Sequence, residues 1–280
     1  MHLMQFTCMH KLFITLFLLV FIDHTFAKFQ SLKSEFGDKL GHINQSSLLA
    51  IQYSDTFNRS FETSLKGREL FITIDWNELR PNAYASFKED GSPYILLTEG
   101  MLNHPLMTPD AINLVICHEL GHFFAGSPKK NRGRSSKKSW ASAEGQSDFY
   151  ASAYCMKKLL AQDEKSLSID SDNKYDREAE FLCGGEVGCT RIVQAAYRVA
   201  KVYAETKLYP VKVSLTEKSK FIAPTTILTH PEPQCRLDTM IAGALCPMSM
   251  EIDFASNKDS DCLVEKYSRP SCWLNKVKEP

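Results

Sequence analysis

The sequence carries no surplus of charge. Lys plus Arg and Asp plus Glu each number 33 in 280 residues. A chain so balanced projects no overall field to draw in nucleic acid or an anionic membrane, so neither is an expected partner. After the apolar run 12–22, no stretch approaches the roughly 20 apolar residues that a membrane-crossing helix needs. No two of the nine cysteines have CxxC spacing, so they make poor metal ligands. There is no internal repeat and no long low-complexity tract. What remains is enough chain for one sizeable domain, or for a core with extensions.

The first 27 residues read as a secretory signal peptide: Lys11, then the apolar run 12–22, then a small-residue end at Thr25-Phe26-Ala27. Eleven apolar residues are short for a span; the alternative is an uncleaved anchor. Cleavage after Ala27 removes Cys8 and leaves eight cysteines, an even number that suits an exported, oxidised protein in a periplasm or outside the cell. Eight cysteines allow 105 pairings. Cys183 and Cys189 are close enough to close a short loop, as are Cys262 and Cys272, while Cys117 reads as a free core thiol.

Strands come first along the chain. They are expected over 48–54, over 69–75, and as a hairpin of 82–87 with 94–98 about the turn Glu89-Asp90-Gly91. A helix follows, with Thr108 as N-cap, Pro109 as its first residue, Asp110 at the positive end of its dipole, and a stop at Gly126 and Pro128. Residues 127–140 hold six Lys or Arg and no acid, which is either a solvated loop or a positive rim beside a site. Further helices are expected over 140–160, over 190–205, and from about Pro233. Strands followed by helices indicate an α+β fold.

The stretch "HELGH" places His118 and His122 four apart, on one face of the helix that begins at Pro109. Two imidazoles so placed can share a metal, and Glu119 between them can hold a water. The alternative is a pair of core histidines, but that leaves Glu119 buried without a partner. Catalytic zinc takes three protein ligands. Glu144 opens the next helix and is the candidate third; Asp148, four residues on, shares its face and can receive a ring N–H from a ligand histidine.

"HELGH" with "EGQSD" resembles the HExxH…ExxxD signature of gluzincin metallopeptidases, nearest the branch of CAAX prenyl proteases and BepA-type periplasmic peptidases. Asn82-Ala83-Tyr84-Ala85, Thr98-Glu99-Gly100-Met101-Leu102, and His230-Pro231 followed by Arg236 are similar to further segments of that branch. The resemblance covers residues 80–160 and 229–245. It implies a zincin-like fold, a small antiparallel-edged sheet on an active-site helix followed by a mainly helical part, as a single domain over 28–280 with extensions at 28–68 and 247–280. It implies one Zn²⁺ on His118, His122 and Glu144, with Glu119 as general base. Asp148 would orient a ligand histidine, His230 would donate to the oxyanion, and Arg236 would pair with an acid of the site. The substrate would be a peptide or protein, added as a strand along Tyr94, Ile95, Leu96, Leu97 and Thr98. The competing expectation is a non-catalytic peptide- or protein-binding module that keeps the fold.

Overall fold

The computed structural model describes residues 45–131, 138–162, 174–207, 211–248, 254, 262 and 267–275. The expected signal segment, Cys8 and the middle of the basic loop lie outside them. The chain divides into Met1–Leu49 and Ala50–Pro280, and the site lies wholly in the second unit.

The fold is α+β. Helix α1 covers Gln45–Ser60 and a short α2 covers Glu62–Leu65. Residues 48–54 are therefore helical, not the expected strand. Seven residues were too few to show the period: Tyr53, Phe57, Phe61 and Leu65 recur every four residues and pack into the core as one helical stripe.

Three strands follow, β1 (Phe71–Asp75), β2 (Ala83–Phe87) and β3 (Pro93–Thr98), in the order β1-β3-β2. β2 and β3 form the expected antiparallel hairpin, with Ala83 opposite Leu97 and Phe87 opposite Pro93. β1 lies on the other side of β3 and runs parallel to it. Both edges of β3 are thus occupied, so the strand of Tyr94, Ile95, Leu96, Leu97 and Thr98 cannot take an added strand, contrary to expectation. The outer edge of β1 is held by α1. Asn58 accepts from the Leu70 amide and donates to its carbonyl (both 2.8 Å), and Ser54 Oγ accepts from Ile72 N (3.0 Å). Among the described strands, β2 pairs with β3 alone.

Thr98 closes β3 and caps α3 (Glu99–Leu102), its hydroxyl accepting from Met101 N. Helix α4, Pro109–Phe124, starts as the sequence indicates: Thr108 accepts from Ala111 N, and Asp110 receives two bonds of 2.8 Å from Arg191. The ends of the basic segment form a two-stranded ribbon, β4 (Lys129–Asn131) with β5 (Lys138–Ser142). Helix α5 consequently begins at Glu144 and not at Trp140. It covers Glu144–Tyr150, passes through a π-helical turn at Ala151–Cys155, and continues as α6, Met156–Leu160. Helices α7 (Lys174–Leu182), α8 (Val187–Glu205) and α9 (Pro233–Leu245) complete the body. α8 packs against both α4 and α9.

All eight cysteines from Cys117 onward are paired. Cys183–Cys189 is as expected. Cys117 is not a free thiol but joins Cys155, because the π turn rotates Cys155 onto α4. Cys262 pairs with Cys246, and Cys272 pairs with Cys235, not with each other. The C-terminal segment returns over α9 and α5, so residues 267–275 are part of the body. No helix among the described residues is long and apolar enough to cross a membrane.

Candidate metal centre

Two helices make the site. Gly121 lets them meet: a Cβ there would lie 2.9 Å from the Cα of Ser147. That crossing brings His118 and His122 of α4 against Glu144 and Asp148 of α5. All four are buried, as is Glu119.

Each histidine has one ring nitrogen engaged and the other turned to a common point. His118 Nδ1 donates to Asp148 Oδ1 at 2.7 Å, and its Nε2 lies 3.1 Å from Glu144 Oε2. His122 Nδ1 donates to the Ser142 carbonyl at 2.9 Å, with the Ser147 hydroxyl 3.0 Å away. Its Nε2 is 3.8 Å from Glu144 Oε1 and 3.9 Å from Glu119 Oε2. The imidazole centroids are 5.0 Å apart. The potential ligand atoms of His118, Glu119 and His122 all fall within 4.8 Å of one another.

The electrostatics call for a cation. Three buried carboxylates, Glu119, Glu144 and Asp148, share buried Arg236 and the ring of His118, with Lys130 reaching Glu144 from β4. Burial alone would lower the pKa of His118; the charge and hydrogen bond of Asp148, with Glu144, override it and raise it to about 9. Burial, then the neighbouring His118, holds His122 near 3, so its ring is neutral. Burial pushes Glu119 up to about 7. Against its own burial, Glu144 is held well below the usual carboxylate range, first by the His118 hydrogen bond. A divalent ion on two imidazole nitrogens and the Glu144 carboxylate would take the place of the proton on His118 Nε2, and this donor set suits zinc.

Arg236 and Asp148 both contact His118, and Arg236 also borders the cleft that His230 lines. Arg236 grips Asp148 through Nε (2.8 Å) and Nη2 (2.7 Å), and its guanidinium lies 4.0 Å from the Tyr203 ring. His230 is placed differently. Its Nε2 is 3.2 Å from Glu144 Oε2, its side chain is 62% exposed, and partial desolvation beside the positive Arg236, His118 and Lys130 lowers its pKa, so it is neutral at ordinary pH.

Four contributors were not expected from sequence. Lys130 of β4 forms an ion pair with Glu144. Ser142 and Ser147 fix the ring of His122. Trp273 packs on α5 where Gly145 leaves room for it: a Cβ at 145 would lie 2.3 Å from the indole. The serines carried a signal as small residues flanking the third ligand, and Lys130 as part of the basic segment 127–140, one reading of which was a positive rim beside a site.

Residues 60–241, more than half of the chain, match the sequence profile of peptidase family M48. The chain belongs to that family. No curated protein and no solved structure matches it significantly. M48 peptidases are zinc-dependent, and the buried His118–Glu119–His122 group is where this chain can hold the ion. The matched span includes α4, α5 and His230.

Proposed function

We propose that this M48 chain is an exported zinc endopeptidase in which Glu119 is the general base. The observation that carries the reading is the convergence of the His118 and His122 Nε2 atoms on the Glu144 carboxylate, with Glu119 Oε2 3.9 Å from His122 Nε2. Zinc bound by His118, His122 and Glu144 supplies Lewis-acid polarisation of a peptide carbonyl and makes water more acidic. Glu119 takes the proton of the attacking water and returns it to the leaving nitrogen. Its carboxylate, with Oε2 3.9 Å from His122 Nε2, lies where both transfers need it. His230, neutral and open to the cleft, donates to the oxyanion as it forms. Asp148 keeps the Nδ1 proton on His118, so that Nε2 is the free donor; Arg236 holds Asp148 in place.

The substrate adds as a strand to β2. β3 is interior and the β1 edge is held by Ser54 and Asn58, which leaves the β2 backbone to pair with an extended peptide. Export is supported by the apolar run 12–22 and by the paired cysteines, which form in oxidising compartments, periplasmic or extracellular.

The test joins metal content to cleavage of an unfolded protein. Wild type should carry about one zinc per chain and cut. Glu119→Gln should keep the zinc and lose activity by at least about 10²-fold. His118→Ala and Glu144→Ala should lose the metal. Stoichiometric zinc in both alanine variants would remove the ligand assignment.

A further inference from the structure

We infer that the aromatic cluster Phe87–Phe123–Trp140 is the substrate subsite for a large apolar side chain preceding the scissile bond. The inference rests on the peptidase reading and on strand addition to β2. Phe123 is the residue after the ligand His122, Trp140 lies two before Ser142 on β5, and Phe87 ends β2. Their rings pack at 4.8–5.0 Å, with Phe123 and Trp140 stacked and Phe87 edge-on to both.

A cluster serving only to staple three elements would be buried. Here Phe87 is 38% and Trp140 is 42% exposed, beside the edge of β2 that no described strand covers. An apolar face that persists in water next to a reactive centre is a docking surface for an apolar group. The opposite end of β2 differs. Asn82 and Tyr84 open there into a cleft of about 950 Å³ that His230 also lines, with the charged groups Arg80, Glu99 and Glu205 on its walls. The two ends of β2 therefore offer opposite chemistries: Phe123 of the aromatic end follows His122 in α4, and the polar cleft includes His230, whose Nε2 is 3.2 Å from Glu144.

Strand direction assigns each end to one side of the scissile bond. β2 runs from Ala83 to Phe87. An antiparallel substrate has its N-terminal part beside Phe87 and its C-terminal part beside Asn82. The aromatic cluster then meets one of the three residues before the cleaved bond, and the polar cleft receives those after it.

The experiment maps cleavage sites of zinc-loaded wild type in a peptide mixture. It then compares a Phe and a Ser peptide differing at the enriched position. Aromatic or large aliphatic residues should be enriched within three positions before the bond. The Phe-over-Ser preference in kcat/KM should be roughly tenfold or more. It should fall to within about twofold in Trp140→Ser and, independently, in Phe87→Ser, while Phe181→Ser, on the far-exposed face of α7, keeps it. A preference retained by both cluster variants, each folded and zinc-loaded, overturns the inference, as does enrichment confined to positions after the bond. Equilibrium binding of the same peptides to zinc-loaded Glu119→Gln separates the two layers of argument. If wild type cuts nothing but the Phe peptide binds better and Trp140→Ser abolishes the difference, the peptidase reading falls and the subsite stands. If both peptides bind alike, the subsite falls.

Discussion

His230 shows how much a single side chain must be asked to do. It is not needed to complete a His, His, Glu ligand set, yet its Nε2 sits 3.2 Å from the Glu144 carboxylate with most of its side chain open to the cleft. A neutral imidazole there has an N–H to give to charge that develops only during reaction. His230→Phe should lower kcat by about 10²–10³ with KM little changed and zinc retained. If His230 merely shaped the turn before α9, the variant would melt earlier and keep normal kcat per zinc-loaded molecule. Steady-state rates, zinc content and melting on one preparation decide between these. At this scale the sequence was most legible where spacing along one helix does the work. His118, Glu119 and His122 need only the α-helical period, and Glu144 and Asp148 need only another turn of it to reach opposite nitrogens of the same His118 ring. Lys130 was legible only as one of six basic residues in 127–140, because its reach to Glu144 depends on how the β4–β5 ribbon folds back.

Elements fix the distance between those residues. α4 and α5 approach at Gly121, and α5 is pressed from its other side by Trp273, whose indole is fully buried beside Gly145. Gly145→Ala puts a methyl group where the ring now lies. Overpacking of this kind costs about 1–3 kcal/mol, and here the strain falls on the residue next to the ligand Glu144. We expect a lower melting temperature and faster loss of zinc to a chelator, while Gly145→Ala combined with Trp273→Leu should recover part of both. A second element-scale effect concerns α6. Lys157 donates to the Cys246 carbonyl from a largely buried position, and burial lowers its pKa to about 8, with Glu186 opposing weakly. Below about 8 Lys157 is charged in the folded and unfolded chain alike, and the fold bears the cost of burying that charge. Between about 8 and the ordinary 10.5 the unfolded chain holds more protons, so stability rises with pH in that window. Denaturant midpoints of wild type relative to Lys157→Met should rise from pH 8 to pH 10; a flat difference would show that Lys157 titrates normally. Elements were read correctly where caps and turns are local, as at Thr108. They were misread where a partner decides: α1 is helical because its stripe finds a core, and β3 is interior because β1 joins it in parallel from outside the hairpin.

The whole molecule is cross-linked around the site. Cys117–Cys155 ties the helix of His118 to the helix that carries Glu144, and Cys235–Cys272 ties the helix of Arg236 to the segment of Trp273. Neither pairing follows from spacing, since each bridges residues 38 and 37 apart that only the tertiary fold brings together. In the chain-entropy picture, closing loops of that size stabilises by about 3–4 kcal/mol each. Links of this kind form where thiols oxidise, which is the compartment the proposed export supplies. The chain recovered outside the cytoplasm should therefore begin at or within a few residues of Lys28, having lost Cys8 with the leader. Denatured without reductant, it should expose no free thiol among the remaining eight. The same chain made in a reducing cytoplasm should lose zinc more readily, because α4 and α5 are then held by packing and by polar contacts such as Asp148–His118 and Ser147–His122, without the covalent link. N-terminal sequencing, a thiol count and chelator-driven zinc release address the three parts separately. An intact Met1 on extracytoplasmic protein would sink the cleavage argument and leave the disulfides standing. Eight reactive thiols on protein that nonetheless binds zinc and cuts would sink the cross-linking argument, and with it the main support for export.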